Sequence, residues 1–216
     1  MSDPRSERTR VRRVPEKAAY DRATVNAILD EALICHVGFI QDDAPFVIPM
    51  NHVRVGETLY FHGSPASRLM RLMKSGAQVT VTATILDGIV AARSVFHHSI
   101  HYRSVTIMGP SRVVDDPDER AVAFEAITEA VLPGRWSEAR HPSPAEDKGT
   151  LLVAVPIDEF SAKVSEKDVG DEPEDYALPI WAGVIPLTLT PGTPEPDPRN
   201  LDGVDVPPSV RRFVGE

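Results

Sequence analysis

The chain of 216 residues contains 42% hydrophobic and 25% charged residues, 20 prolines and one cysteine, and its formal net charge is −9. These fractions are typical of a globular domain and exclude wholesale disorder and a membrane-embedded protein. Thirteen acidic and five basic residues fall within 157–216, which argues against general nucleic-acid binding. Because no apolar run approaches the roughly 18–20 residues of a spanning helix, we expect a cytoplasmic protein that makes no membrane contact.

Composition divides the chain into three regions. Residues 1–19 are rich in arginine and predict a flexible arm, whereas 20–170 carry the periodic segments of one folded domain. From residue 173 onward, nine prolines fall within 36 residues. We therefore expect 171–216 to form an extended acidic tail, interrupted by an apolar docking segment at 179–187.

Hydrophobic periodicity predicts helices at 21–33, at about 65–75 and at 116–132, with Asp21 and Asp116 as N-terminal caps. Asp87-Gly88 predicts a hairpin turn. Strands are expected at 34–40, 46–55, 58–62, 79–85, 89–95, 102–108, 150–155 and 160–164. Strands and helices do not alternate regularly, so a doubly wound sheet is excluded. We predict a mainly β (α+β) fold, a small antiparallel barrel with peripheral helices.

The segment from His62 to Arg68 predicts an anion site. It runs from a strand through Gly63 into a helix, for which Ser64 is the expected cap and Pro65 the first residue. The hydroxyls of Ser64 and Ser67 and the Arg68 guanidinium are groups that bind phosphate. The alternative is that both serines only cap the helix.

Three histidines, His97, His98 and His101, lie within five residues. Such spacing invites a metal interpretation, but no nearby carboxylate or thiol completes a ligand set, so no metal site is predicted. The flanking residues are of the types that bind phosphate or ribityl hydroxyls, or they are ordinary polar residues of a hairpin edge. They are Arg93, Ser94, Arg103 and Ser104.

Three other positions are candidates. Pro49 interrupts the predicted strand Pro49-Met50-Asn51-His52, which either frees backbone groups for a flat ligand or marks an edge strand. Trp181 could cap a planar ring or dock the tail. Cys35 is expected to be a core residue, because its neighbour His36 would point to the opposite face of the strand.

Together these segments resemble the FMN-binding split-barrel family related to pyridoxamine 5'-phosphate oxidase, in its branch of nitroimidazole-resistance reductases. The sequence contains no Gly-x-Gly dinucleotide fingerprint. The residues that carry the resemblance are Tyr20-Asp21-Arg22, Val37-Gly38-Phe39, Pro49-Met50, Leu59-Tyr60-Phe61-His62-Gly63, Ser67-Arg68, Leu86-Asp87-Gly88, Ala92-Arg93-Ser94, His98-Ser99, Tyr102-Arg103-Ser104-Val105 and the Trp-Ala-Gly-Val segment from Trp181.

The resemblance implies a six-stranded split barrel that forms a homodimer, with FMN bound at the subunit interface. It assigns the FMN phosphate to His62, Gly63, Ser67 and Arg68. It places Pro49 to His52 along the isoalloxazine and Tyr102 to Ser104 beside the cofactor. The phosphate trio Ser-Arg-Lys of the oxidase is Ser67-Arg68-Leu69 in this chain, and no residues match its pyridoxal-phosphate site. Vitamin oxidase activity is therefore not expected.

The functional hypothesis is an oxidoreductase that moves a hydride from NAD(P)H through FMN to a small oxidised acceptor. His52 or His62 is the candidate proton donor, and the polar backbone at Asn51 would stabilise the reduced ring. Two alternatives stay open. One is a flavin-binding sensor without turnover, and the other is a barrel that binds heme or a deazaflavin, with His97, His98 or His101 as an iron ligand.

Overall fold

The structure, a computed structural model, describes residues 4–216, so the first three residues of the predicted arm lie outside the description. Its strands are β1 Ala18–Ala19, β2 Cys35–Gln41, β3 Ala44–Met50, β4 Val53–Val55, β5 Thr58–Gly63, β6 Gln78–Ala91, β7 Ser99–Pro110, β8 Arg112–Val113, β9 Leu151–Pro156, β10 Glu159–Ser165 and β11 Gly183–Pro186. Its α-helices are α1 Arg22–Glu31, α2 Arg68–Lys74, α3 Pro117–Val131, α4 Pro144–Gly149 and α5 Pro208–Phe213.

The chain divides into two units. Unit 1 consists of Met1–Asn51, Gln78–Pro110 and Pro156–Thr188, and unit 2 of His52–Ala77, Ser111–Val155 and Leu189–Glu216. The antiparallel α+β fold predicted from the sequence is confirmed. The strands form two open sheets, a seven-stranded one and a four-stranded one, and neither sheet closes into a barrel.

The sheet of unit 1 has the order β1-β10-β7-β6-β2-β3. The alternation predicted for 79–85 is confirmed, because Val79, Val81 and Ala83 are all buried. The hairpin predicted at Asp87-Gly88 is wrong. β6 continues through these residues with a register shift between Leu86 and Gly88, so the dipeptide forms an irregularity inside a long strand and not a turn. On the edge of β6 opposite β7, β2 pairs with residues 80–83 and β11 with residues 88–91.

The sheet of unit 2 has the order β4-β5-β9-β8, and α3 packs against β4. Its core cluster is formed by Val53, Tyr60, Val114, Ala123, Leu152 and Ala154. The single strand predicted over 46–55 is wrong, because Asn51 and His52 separate β3 from β4, which belong to different sheets.

Local signals located two helices correctly. The Asp21 side chain accepts a hydrogen bond from Thr24 N at the start of α1, and Asp116 accepts one from Glu119 N at the start of α3. The short helices α4 and α5 were not predicted. α4 begins with a complete capping box between Ser143 and Glu146, a signal that the sequence contains and that was overlooked.

Both ends of the chain contact their own unit. In unit 1, Val11 N donates to the Tyr20 hydroxyl oxygen (2.8 Å), and Arg8 pairs with Glu159. In unit 2, the backbone N–H of Ser209 in α5 donates to Glu138 (3.0 Å). Among residues 4–216, no helix combines the length and the apolar character that a membrane crossing needs.

Candidate functional site

The predicted phosphate segment lies in unit 2, between β5 and α2. The helix was expected to begin at Pro65, but α2 begins at Arg68, because Ser67 and not Ser64 is its cap: Ser67 Oγ accepts from Met70 N (3.3 Å). Ser67 N donates to the Ser64 carbonyl oxygen (3.0 Å). A Cβ atom at Gly63 would lie 3.0 Å from Met70 Cγ, so a larger residue at the end of β5 would crowd the methionine side chain. Ser64, Ser67 and Arg68 are therefore exposed on a tight, fixed loop.

His52 and His62, the two candidate proton donors, also belong to unit 2 but differ in environment. His52 is only 7% exposed and directly precedes β4. His62 lies on β5, where its neighbours exclude part of the surrounding water and lower its pKa from the ordinary histidine value. At neutral pH the His62 ring is consequently uncharged, with one nitrogen donating and the other accepting.

Pro49 and Met50 lie on β3, the edge strand of the sheet in unit 1, and Asn51 follows it. The edge-strand interpretation of Pro49 is thereby confirmed. Cys35 is fully buried on β2, as predicted, and its thiol contacts the Met50 carbonyl oxygen (3.5 Å). Burial raises the pKa of Cys35 to about 12, so this thiol is protonated and is not a nucleophile at neutral pH.

Tyr102, Arg103 and Ser104 lie on β7, paired with β6 on one side and β10 on the other. The Arg103 guanidinium is held by two carboxylates. It donates to both oxygens of Asp87 (3.0 and 2.7 Å) and to both oxygens of Glu31 (2.5 and 2.7 Å). The hydrogen bonds that Arg103 donates to Asp87 and Glu31 raise the pKa of Arg103. In this arrangement Arg103 links α1 to the sheet, and an anionic ligand would have to displace a carboxylate to reach it.

Arg93, another predicted cofactor residue, is also engaged by a carboxylate. The side chain of Asp171 accepts from the backbone N–H groups of Arg93 (3.0 Å) and Ser94 (3.1 Å) and from the Arg93 guanidinium (3.1 Å). The guanidinium carbon also lies 4.8 Å from the centre of the Tyr176 ring. The anion-binding chemistry expected of Arg93 and Ser94 is thus present, and the chain's own Asp171 uses it.

Trp181, in unit 1, is 68% exposed and precedes β11. Its ring lies against Gly183, where an added Cβ would approach Trp181 Cζ2 to 3.0 Å. Because β11 pairs with β6, this part of the tail is fixed to the sheet while the indole stays accessible. An accessible, fixed indole is suited to stacking on a planar ring.

The three clustered histidines of unit 1 form different contacts. His98 Nδ1 lies 3.1 Å from the Ser94 carbonyl oxygen, His101 Nε2 lies 2.8 Å from the Lys167 carbonyl oxygen, and His97 Nε2 lies 3.6 Å from Glu172 Oε1. A carbonyl oxygen only accepts, so a neutral His98 carries its proton on Nδ1 and keeps its lone pair on Nε2.

A cavity of about 790 Å³ in unit 2 was not predicted. Its wall includes Trp136 and His141, whose ring centres are 4.3 Å apart with an interplanar angle of 22°. Lys74 and Lys148 supply positive charge to the lining. The residues of the lining are spread along the chain from Pro65 to Leu151. A short stretch of sequence therefore does not reveal the cavity. Asp171 was missed for the same reason, since it lies 78 residues from Arg93.

Comparison with known proteins identifies the family. Residues 21–164 match the family profile described as pyridoxamine 5'-phosphate oxidase. None of the curated proteins compared with the chain matches it. Among solved structures, the flavocytochrome Anf3 from Azotobacter vinelandii is 37% identical and matches over 99% of each chain, with a TM-score of 0.90.

Two further structures are similar. The FAD and heme binding protein from Mycobacterium smegmatis is 38% identical over 91% of this chain and 97% of its own, with a TM-score of 0.87. A proposed 5-nitroimidazole antibiotic resistance protein from Bacteroides thetaiotaomicron is 21% identical over 68% of this chain and 86% of its own, with a TM-score of 0.59, and so shares the fold. The chain therefore belongs to the pyridoxamine 5'-phosphate oxidase family.

Proposed function

We propose that this chain is a flavin-binding redox protein that takes a hydride from NAD(P)H and passes two electrons to a small oxidised acceptor. The observation that carries the proposal is the similarity over almost the whole chain to a flavocytochrome and to a FAD and heme binding protein. A bound flavin supplies the hydride and electron chemistry itself. The side chains of this protein bind the cofactor, orient it and control protons.

The phosphate of the flavin is assigned to the loop of unit 2. Gly63 packs closely against Met70, Ser64 and Ser67 are exposed, and Arg68 supplies a positive charge. In unit 1, the exposed Trp181 ring and the edge strand that carries Pro49 and Met50 are suited to a flat aromatic ring. These assignments extend the sequence-based prediction.

Two forms of the flavin are compatible with this loop. The family resemblance implied FMN, and FMN stays a prediction. The name of the 38% identical relative favours FAD, because that protein binds FAD and heme. Both molecules share the flavin ring, the ribityl chain and the first phosphate, so the assignments to residues 62–68 are the same for either.

His52 and His62 stay the two predicted proton donors, and each meets an obstacle. His62 adjoins the loop assigned to the phosphate, at the end of the flavin opposite the reacting ring, and its lowered pKa leaves a neutral ring that releases a proton poorly. His52 is almost completely buried, so a substrate would not reach it easily.

We also propose a homodimer. Unit 1 exposes several large apolar side chains, including Val95 (89% exposed), Phe96 (86%) and Trp181. Exposed apolar groups of this kind mark protein contact surfaces. Light scattering of the purified chain should give twice the monomer mass of 23.7 kDa.

We further propose that the chain consists of an arm at 1–19, a flavin domain at 20–170 and a tail at 171–216.

The test of the proposal is the visible spectrum of the purified protein, followed by mass analysis of the released cofactor. A flavin spectrum that NADH or NADPH bleaches without oxygen would support the proposal. Flavin that neither donor bleaches would favour a sensor without turnover. A colourless protein that does not bind added FMN or FAD would contradict the proposal altogether.

The phosphate assignment has its own test. Replacing Arg68→Ala should weaken flavin binding about 10- to 100-fold, because a charge-assisted contact is lost. Arg71→Ala is the matched control, since Arg71 is also exposed and lies three residues further along α2. Equal affinity of both variants and the unaltered protein would place the phosphate elsewhere.

A flavocytochrome is the second candidate function, favoured by the same two relatives and by the geometry of His98. An iron-ligating histidine usually donates one ring N–H to a carbonyl group and binds the metal through the other nitrogen. His98 has this arrangement with Nε2 left for iron, and His101 has it with Nδ1, the nitrogen nearer to its own backbone. The more projecting Nε2 favours His98. His98 is therefore the residue that would hold heme iron, next to the exposed apolar side chains of Val95 and Phe96.

The heme assignment is tested by adding heme and recording the Soret band. His98→Ala should abolish the band shift on binding, and His101→Ala should retain it. If the shift survives in His98→Ala, the ligand is another residue. If the unaltered protein gives no shift at all, the chain is not a flavocytochrome.

A further inference from the structure

The cavity of unit 2 contains an aromatic wall that the contacts of the loop after α3 hold in position. Trp136 N donates to Glu129 Oε1 (2.8 Å), and the other oxygen of Glu129 accepts from Gly134 N. His141 stacks on the Trp136 ring, and its Nε2 bonds to the Trp136 carbonyl oxygen (3.2 Å). Trp136 is half-buried and His141 is exposed. The wall is thus a stacked pair of rings inclined by 22°, of which His141 is the exposed member. An exposed ring of this kind suits stacking of a third ring.

The accessible charges of the lining that form no ion pair within residues 4–216 are the ammonium groups of Lys74 and Lys148 and the carboxylate of Asp115. Arg120 is used structurally: it donates to Asp147 Oδ1 (2.7 Å) and to the carbonyl oxygens of Val114 (3.0 Å) and Thr150 (3.3 Å). By contrast, Lys74 and Lys148 are exposed and form no ion pair with any residue in the described range 4–216. Two accessible ammonium groups near an aromatic wall suit an aromatic ligand that carries phosphate.

Asp115 is an exposed carboxylate of the lining, whereas Asp147 is already paired with Arg120. A carboxylate is a hydrogen-bond acceptor for hydroxyl groups such as those of ribose. The lining therefore combines aromatic rings for a planar base, an acceptor for sugar hydroxyls and two ammonium donors for a phosphate group.

We propose that this cavity binds an adenylate group, with the adenine on the His141–Trp136 stack, the ribose at Asp115 and the phosphate at Lys74 and Lys148. The inference rests on the proposed function, because the adenylate belongs either to FAD or to a free adenine nucleotide such as the electron donor. Pro65 lines the cavity and is also part of the loop assigned to the flavin phosphate. The two phosphate positions therefore adjoin within unit 2.

The volume and the donor set support this ligand. A cavity of about 790 Å³ lies within the range of roughly 300–1,000 Å³ that is typical of small-ligand sites. A porphyrin fits less well, because His141 is the single histidine of the lining and its ring is already stacked on Trp136.

The chain's two tryptophans allow a direct experiment, because Trp136 lies in unit 2 and Trp181 in unit 1. In a Trp181→Phe background, the fluorescence reports on Trp136 alone. Because Trp181 is assigned to the flavin ring, FMN and FAD affinity is also measured with the unaltered protein from the fluorescence of the flavin. Protein freed of cofactor is titrated separately with AMP, NADPH, FMN and FAD. The same titrations are made with His141→Ala and Lys148→Gln. His36→Ala and Lys167→Gln are the matched controls, since both are exposed residues of unit 1.

If FAD supplies the adenylate, FAD binds about 10-fold more tightly than FMN, and this difference disappears in His141→Ala and Lys148→Gln while FMN affinity is retained. If a free nucleotide supplies it, FAD and FMN bind equally, but AMP and NADPH quench Trp136 and both variants lose the quenching. The control variants behave as the parent protein in either case.

Equal binding of FAD and FMN without quenching by AMP or NADPH would overturn the adenylate site. The flavin proposal would survive that result, since FMN would still bind. Quenching by AMP in a protein that binds neither flavin would support the adenylate site and contradict the proposed function. The two proposals can therefore fail separately.

Discussion

Asp171 and Arg93 are joined through both the backbone and the side chain of the arginine. The Asp171 carboxylate accepts from Arg93 N (3.0 Å) and from Arg93 Nη1 (3.1 Å), and it also accepts from Ser94 N (3.1 Å). Its side chain has no exposed surface. The tail is thereby fixed to the turn that follows β6. The anion that this turn binds is the carboxylate of Asp171.

Asp171→Asn should loosen this turn. The amide keeps the shape of the carboxylate but loses the charge that strengthens three hydrogen bonds. We expect the amide hydrogens of Arg93 and Ser94 to exchange with solvent about 10-fold faster or more. Asp175→Asn is the control, because it also neutralises a tail aspartate. Equal exchange in both variants would show that the Asp171 charge does not hold the turn.

The same contact predicts a pH dependence. Burial alone would raise the pKa of Asp171, but the hydrogen bonds from Arg93 and Ser94 outweigh it and hold this pKa below the usual aspartate value. A carboxyl group with a lowered pKa stabilises the fold above its unfolded pKa of about 3.9. The contribution is lost as the pH falls through the folded pKa. The difference in melting temperature between the parent and Asp171→Asn should therefore be constant from pH 7 to 5 and shrink below about pH 4.

Arg103→Lys should reduce stability, because lysine cannot contact Asp87 and Glu31 with two parallel pairs of hydrogen bonds. Glu31 is 53% exposed, so solvent screening limits the loss to about 1–2 kcal/mol in the free energy of unfolding. Urea denaturation of Arg103→Lys, Asp87→Asn and the double variant measures the coupling between the two residues. Additive losses would show that the ion pair does not stabilise the fold. A loss of flavin affinity with unchanged stability would instead favour the sequence-based assignment of Arg103 to the cofactor.

Gly63→Ala should disturb the phosphate loop. The new methyl group would lie 3.0 Å from Met70 Cγ, so the methionine must move, at a cost of about 1–2 kcal/mol in unfolding free energy. Gly170→Ala serves as the control, because an added Cβ there meets no atom within 4 Å. Equal stability of the two variants would show that Met70 adapts freely.

Cys35 should be inert in the folded protein. Its thiol is buried, and burial raises its pKa to about 12, so the reactive thiolate is scarce at pH 8. An aromatic disulfide reagent should react with Cys35 only after denaturation. Rapid labelling of the native chain would mean that β2 opens locally.

Sequence reasoning was reliable where the signal is local. The caps at Asp21 and Asp116 and the alternation over Val79 to Ala83 each depend on neighbours within a few residues, and the structure confirms them. It was wrong at Asp87-Gly88, because partner strands on both edges of β6 keep the chain extended there. Such tertiary pairing overrides a turn propensity.

The candidate site was less predictable because its interactions connect distant parts of the chain. Arg93 and Arg103 were predicted to bind the cofactor, and in the structure carboxylates from distant segments, those of Asp171 and Glu31, contact them. The cavity beside Trp136 is lined by residues that lie between Pro65 and Leu151 in the sequence. Local patterns can identify the chemistry of a side chain, but they cannot identify the partner that folding brings to it.

The pairing of β11 with β6 has a consequence for handling the protein. The last four residues of β6, Gly88 to Ala91, pair with β11, which belongs to the proline-rich tail. A chain shortened before Gly183 would leave their backbone N–H and C=O groups open, beside the exposed side chains of Ile89 and Phe96. An open, apolar strand edge is a template for intermolecular pairing. The tail therefore protects this strand edge from aggregation. Chains shortened before Gly183 should precipitate at concentrations at which the full chain stays in solution.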